Sequence, residues 1–286
     1  MSRIAIIGGG SMGEALLSGL LRAGRQVKDL VVAEKFPDRV KYLSEKYSVL
    51  VTSVADAADA ADYVVIAVKP ADVENVIGEI AEAAAGARTD TAEQVFVSIA
   101  AGVSTAYYEA KLPAGSPVVR VMPNAPILVG GGVSAVAPGR FATEEQVKEV
   151  SSLFDAVGGV ITVAESQLDA VTAVSGSGPA YFFLMVEALV DAGVESGLSR
   201  AVATDLAVQT MAGSAAMLLE SLDEAGAAGG AAPDTSPARL RAMVTSPAGT
   251  TAAGLRELEV AGVRAAVSAA VAAAKTRSEQ LGITPE

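Results

Sequence analysis

RIAIIGGGSMGEALLSGLL, residues Arg3 to Leu21, decides the fold. Arg3–Ile7 is a short, branched, uninterrupted apolar run, the composition of a strand buried on both faces of a parallel sheet. It runs straight into Gly8-Gly9-Gly10-Ser11-Met12-Gly13, which has GxGxxG spacing and opens a helical pattern over Met12–Ala23. Strand, glycine turn and helix in that order form the phosphate-binding start of a dinucleotide fold. Gly8 suits the tight turn, Gly10 lets a pyrophosphate approach the backbone, and Gly13 lets helix and strand pack closely. The helix start at Ser11 and Met12 then faces negative charge. The bland alternative is a glycine turn with no ligand.

Outward from this stretch the first half alternates in the same way. Leu30–Ala33, Tyr63–Ala67, Val95–Ile99 and Val118–Val121 read as further strands, and Pro37–Lys46, Asp72–Ala85 and Ser104–Lys111 as helices between them. That alternation predicts a mainly parallel sheet covered on both faces. Val133–Val136 and Val160–Val163 are candidate later strands. Thr143-Glu144-Glu145-Gln146 has capping-box spacing, which predicts a helix running to about Ala156. From about Glu165 helical patterns dominate, over Pro179–Ala192, Ser199–Leu222, Ala238–Thr245 and Gly262–Leu281. Ala225–Ala232 reads as a link between helices. The expected organisation is an α/β Rossmann-type domain over 1–164 and an all-helical domain over 165–286.

Composition excludes more chemistry than the motifs add. The 286 residues contain no Cys, His or Trp and carry a formal charge of -12. There is no thiolate nucleophile, disulfide or Cys-built metal site, and no imidazole base or His-ligated zinc, so no metal is expected. The acidic balance without a basic stripe argues against nucleic acid. An apolar strand begins by Arg3, leaving no room for a signal-peptide region. Val260–Ala274, read as the most apolar late stretch, is too short and alanine-rich to span a bilayer. The expectation is a soluble cytoplasmic protein with no membrane partner. Hydrophobic residues make up 51%, much of it alanine, which suits close-packed helices and leaves room for a subunit interface.

The strand ends carry the candidate site residues. Glu34, closing Leu30–Ala33, can accept bonds from an adenosine ribose and repel a 2′-phosphate, which argues for NADH; the adjacent Lys35 could pair with that phosphate in NADPH. The strand over Tyr63–Ala67 ends in Ala67-Val68-Lys69-Pro70, at the edge where a cofactor lies. Lys69 could reach substrate or nicotinamide, or stay at the surface. In Met122-Pro123-Asn124-Ala125-Pro126, Asn124 could bond the nicotinamide region or the substrate, or cap the loop. Ser175-Gly176-Ser177-Gly178-Pro179 offers small residues and helix-start N–H groups for a carboxylate, or a tight helix junction. Late in the chain, Ser246-Pro247-Ala248-Gly249-Thr250-Thr251 interrupts a helical region. It reads as a turn capped by Thr250 or as an N–H and hydroxyl cradle for a small anion.

Taken in order, IGGGSMGEAL, AVKP, MPNAP, AVSGSGPAYFF and VTSPAGTTAAGL resemble the pyrroline-5-carboxylate reductase family, over essentially the whole chain. The resemblance implies reduction of 1-pyrroline-5-carboxylate to L-proline by NADH or NADPH, a Rossmann domain, and a helical domain that forms dimers and commonly decamers. It implies that Ser246, Pro247, Ala248, Gly249 and Thr250 hold the substrate carboxylate and that Thr251 bonds the ring nitrogen. It also implies a small-residue pocket at Ser175 to Pro179. Family members often have Gly-Gly where this chain has Ala248-Gly249, and the methyl group of Ala248 is expected to require ordinary backbone angles there. A family acidic residue falls near Asp234, inside a longer segment at Asp223–Ser236. Imine reduction needs no His, because a protonated C=N accepts hydride at carbon; Thr251 then orients the ring or relays a proton, and water is the final donor. Three alternatives remain: a hydroxyacid dehydrogenase of the 6-phosphogluconate type, another imine reductase, or a non-catalytic NAD-binding protein. The first needs a lysine acid/base from the helical domain, and no Lys occurs from Glu149 to Ala274.

Overall fold

Among the described residues, the sheet that grows from Ile4–Ile7 holds eight strands, in the order β3-β2-β1-β4-β5-β6-β7-β8. The computed structural model describes residues 2–59, 61–86, 94–227 and 237–282. The strands are β1 Ile4–Ile7, β2 Leu30–Ala33, β3 Leu50–Thr52, β4 Tyr63–Ile66, β5 Val95–Ser98, β6 Val118–Pro123, β7 Gly132–Pro138 and β8 Gly158–Thr162. β1 to β6 run parallel; β7 is antiparallel to β6, and β8 is parallel to β7. The first βαβ halves therefore diverge from β1 and β4, which is the strand reversal where dinucleotides bind.

Period-two alternation splits each inner strand between two cores. Ile4, Ile6, Val32, Val65 and Val97 face a layer built with Leu16, Leu17 and Leu20 of α1 (Ser11–Arg22), Leu43 of α2 (Pro37–Tyr47) and Phe154 of α6 (Glu144–Asp155). Ala5, Ile7, Val31, Val64 and Phe96 face the opposite layer. There they meet Ala57 of α3 (Val54–Asp59), Ile77 and Ile80 of α4 (Val73–Gly86) and Tyr108 of α5 (Thr105–Lys111). Each fully buried side chain of this size contributes ~1.5–3 kcal/mol before entropy. Burial on both sides is why these strands read as continuous apolar runs.

Local signals set the helix ends. Thr143 and Gln146 form the expected reciprocal capping box on α6, whose C-cap is Ala156. Pro37 opens α2, and Ser104 accepts from the Tyr107 N–H to cap α5. After β8, Glu165 takes both the backbone N–H and the hydroxyl of Thr105, at 2.7 and 2.6 Å, and pairs with the largely buried Arg120 at 3.3 Å. Tyr108 bonds Ser98 at 2.6 Å; burial, against that bond, pushes its phenol up to about 12.

The later helices are α7 Leu168–Val171, α8 Gly178–Glu195, α9 Arg200–Ala227, α10 Pro237–Met243, α11 Thr250–Val260 and α12 Val263–Leu281. The chain divides into two compact units, one of residues 1–179 with 271–286, the other of residues 180–270. Three expectations need correction. β3, α3 and α11 were not anticipated. α9 continues through Ala227, where a link was expected from Ala225; Asp234 and the rest of that link lie outside the described residues. And, besides Val260–Ala274, Glu165–Glu195 and Arg200–Leu222 are long and apolar enough, by length and composition, to cross a membrane, which the expectation of no spanning stretch did not weigh.

Candidate active site

Within the first unit the glycine turn leaves an open position at the start of α1. Gly8 has φ +107°, and a Cβ on it would lie 2.8 Å from the Ala67 carbonyl oxygen. A Cβ on Gly13 would lie 2.0 Å from the Gly8 carbonyl oxygen, so only glycine lets α1 sit this close to β1. At Gly10 the same atom would meet nothing within 4 Å, so the loop is open on the side a pyrophosphate would approach. Gly10 is the N-cap of α1 and supplies no side-chain cap. The first-turn N–H groups of Ser11, Met12 and Gly13 therefore point at an open position with the helix dipole behind them. These features fit a dinucleotide.

A cleft of about 550 Å³ continues from the loop, lined among others by Gly8, Gly10, Glu34, Lys35, Ala67, Val68 and Lys69. Glu34 accepts from the Gly9 N–H at 3.0 Å through one oxygen, and from the Lys35 and Phe36 N–H groups at 2.8 and 3.0 Å through the other. About one of a carboxylate's roughly four acceptor positions is left for a ribose hydroxyl. Lys35 pairs across the cleft with Asp72 at 3.0 Å. Lys69 and Pro70 lead into the 3-10 turn Pro70–Asp72.

Sequence reasoning missed the charged hub that holds this loop. Glu14, in the first turn of α1, accepts from Tyr47, Lys46 and Tyr42 at 2.7, 2.9 and 3.0 Å and pairs with Arg39, whose Nε also donates to the Gly9 carbonyl. Burial alone would raise the Glu14 carboxyl, but the bonds from Tyr47, Lys46, Arg39 and Tyr42 outweigh it and lower it to about 2. The signal was present: Arg39, Tyr42 and Lys46 fall on one face of α2, directly after the acidic strand end.

Asn124 and Ser175, expected on different parts of the site, meet. Asn124 donates its amide to the Ser175 carbonyl at 3.1 Å and accepts from the Val133 N–H at 2.9 Å. Ser175 lies in a π-helical turn, Thr172–Gly176, that carries the chain from α7 into α8. α8 begins at Gly178, close to the start expected at Pro179, but the turn before it takes up part of the stretch's hydrogen-bonding capacity. The Ser177 N–H is already bonded to the Thr172 carbonyl, and the Ser175 hydroxyl to the Val171 carbonyl. The turn lies close against β6: a Cβ on Gly176 would come within 3.2 Å of the Met122 side chain. Widened turns of this kind recur at functional sites.

Within the second unit, Ser246 to Gly249 close a turn, with the Gly249 N–H donating to the Ser246 carbonyl at 3.1 Å. Ala248 has φ +57°. This overturns the expectation of ordinary backbone angles: with Pro247 fixing the preceding φ, a positive φ at the residue after it completes a type II-like reversal. Gly249, not Thr250, is the N-cap of α11, and no side chain caps the helix. The N–H groups of Thr250, Thr251 and Ala252 thus head an uncapped eleven-residue helix behind a strained turn, with Ser246 and Thr251 exposed beside them.

The chain is 72% identical to a pyrroline-5-carboxylate reductase of Mycobacterium tuberculosis, over 100% of this chain and 99% of that protein. It belongs to the pyrroline-5-carboxylate reductase family. The family model for the dimerisation region matches residues 165–281, and one described as "NADP oxidoreductase coenzyme F420-dependent" matches residues 3–102. The solved reductase of Coxiella burnetii superposes with a TM-score of 0.88 at 34% identity, covering 99% of both chains. That of Plasmodium falciparum, solved with NADP bound, superposes at 0.80 and 29%, covering 99% of this chain and 98% of its own.

Proposed function

We propose that this oxidoreductase reduces 1-pyrroline-5-carboxylate to L-proline, the last step of proline biosynthesis. The observation that carries the reading is the uncapped N-terminus of α11 behind the Ala248 turn. Three N–H donors and the Ser246 hydroxyl suit one small carboxylate, and charge-assisted bonds of this kind are worth ~1.5–3 kcal/mol each. With the carboxylate held by Ser246 to Thr250, the Thr251 hydroxyl orients the ring nitrogen and passes it a proton from water. By the family resemblance the small residues Ser175 to Pro179 also contribute to substrate binding, and Asn124 bonds the Ser175 carbonyl. When bound, the reduced nicotinamide supplies the hydride; Gly8, Gly10, Ser11, Met12 and Gly13 hold its pyrophosphate, and Glu34, Lys35, Ala67, Val68, Lys69 and Pro70 line the nucleotide's path.

The absence of His and Cys supports an imine over an alcohol substrate, since no strong protein base is required. The lack of Lys from Glu149 to Ala274 speaks against a lysine-dependent hydroxyacid dehydrogenase. Glu34 favours NADH over NADPH. The dinucleotide domain is taken as 1–164, and 165–286 as the substrate and dimerisation domain of a cytoplasmic homodimer that assembles further into decamers.

The test is loss of reduced-nicotinamide absorbance with pyrroline-5-carboxylate beside a panel of ketoacids, and the reverse reaction with hydroxyacids. Turnover confined to the cyclic imine is expected. Comparable turnover of a hydroxyacid and none of the imine would overturn the assignment.

A further inference from the structure

We propose that Asp72 sets the choice between the two nicotinamide cofactors by occupying Lys35 from within; this rests on the NADH reading above. Lys35 follows Glu34 at the end of β2, where the adenosine ribose of a dinucleotide lies. A 2′-phosphate brings about -1.5 to -2 charge and needs a cation there. The neighbouring cations are already committed. Arg39 is bonded to the Gly9 carbonyl and to Glu14, and Lys46 to Glu14. That leaves the two lysines of the cleft, Lys69 after β4 and Lys35 at the end of β2 itself, whose ammonium sits 3.0 Å from an Asp72 carboxylate oxygen.

Asp72 comes from the far wall of the same cleft, at the end of the Pro70–Asp72 turn. Glu34, Asp72 and Glu79 line that cleft against only Lys35 and Lys69 among the described residues. A 2′-phosphate entering it must take Lys35 from Asp72 and then face the carboxylate it displaced. A ribose with a free 2′-hydroxyl asks for no such exchange. The Lys35–Asp72 pair is exposed, at 67% and 38%, so the discrimination it gives is graded and salt-sensitive.

The experiment is isothermal titration of the full-length protein with ADP-ribose and 2′-phospho-ADP-ribose, which lack the reacting ring, beside NAD+ and NADP+. Wild type, D72N, K35M and the double variant are compared. D72N should tighten the 2′-phosphorylated ligands about three- to tenfold while moving ADP-ribose by less than about twofold. On the K35M background the gain should vanish. An equal change for both ligands, no change for either, or the same gain without Lys35 would overturn the proposal. The NADH reading is judged separately, by the wild-type ratio of kcat/KM for NADH and NADPH.

Discussion

Gly13 and Ala248 show what a single methyl group decides. At Gly13 it would lie 2.0 Å from the Gly8 carbonyl oxygen, against backbone that cannot swing aside. Gly13→Ala must therefore push α1 off β1. We expect more than tenfold weaker NADH binding and about 1–3 kcal/mol of lost stability, read by titration and by urea unfolding. An unchanged dissociation constant would show that the cradle is elsewhere. At Ala248 a methyl group is present where φ is +57°. The left-handed region costs an L-residue roughly 1–2 kcal/mol, and the surrounding turn sustains it. Ala248→Gly should keep kcat and leave stability within about 1 kcal/mol. Ala248→Val, whose branched side chain tolerates positive φ least, should raise KM for the imine acid at least tenfold. Equal KM for the two variants would mean that the turn's geometry does not matter. The glycine loop was legible because each glycine answers a backbone demand. The Ala248 conformation was not, since residue type gives only the strain and not whether a turn bears it.

At the scale of elements, α1, α2 and the loop between β1 and α1 are bound together by Glu14. Its side chain is only 17% exposed, and its folded pKa of about 2 lies below the ordinary 4.5. A depressed carboxylate stabilises the fold above its unfolded pKa, and that contribution is lost as pH falls through the folded value. Glu14 therefore contributes on the order of 3 kcal/mol near neutrality, which fades between about pH 5 and pH 2. Glu14→Gln should be less stable than wild type at pH 7, and the gap should narrow as pH drops. Denaturant midpoints of both proteins across that range check it; a gap independent of pH would remove Glu14's charge from the account. The inner strands were legible because burial on both faces leaves unbroken apolar runs. β3 was missed although Val49-Leu50-Val51 is itself an apolar run: the strand is only three residues long, lies at the sheet edge and leaves Leu50 exposed, so it lacks the two-sided burial of the others. α3 has six residues, fewer than two turns, too few for a period to register.

For the molecule as a whole, the helices past Glu165 carry apolar surface that one chain does not cover. Phe182, Phe183, Leu184 and Met185 of α8 and Leu206, Leu219 and Leu222 of α9 are all exposed. Exposed apolar faces of this kind mark protein or membrane contacts, and the match of residues 165–281 to a pyrroline-5-carboxylate reductase dimerisation model suggests self-association. Phe183→Glu combined with Leu206→Glu should convert the assembly to monomer in light scattering at micromolar concentration and abolish turnover; an unaltered mass would put the interface on other faces. Helical periodicity announced these helices but not their partner. Nor did it announce the chain's return: residues 271–282 belong to the first unit, where Ser278 bonds Asp169 at 2.6 Å and the end of α12 packs on Gly102. Contacts between residues 109 positions apart leave no trace in local pattern.

The claim under all of this is that the turn at Ser246–Gly249 and the start of α11 grip the substrate's carboxylate. The most direct measurement is a crystal structure of the protein with NAD+ and L-proline. The account predicts the proline carboxylate within hydrogen-bonding distance of the Thr250 and Thr251 N–H groups and the Ser246 hydroxyl. Proline bound with its carboxylate on other residues, and these donors facing only water, would contradict it.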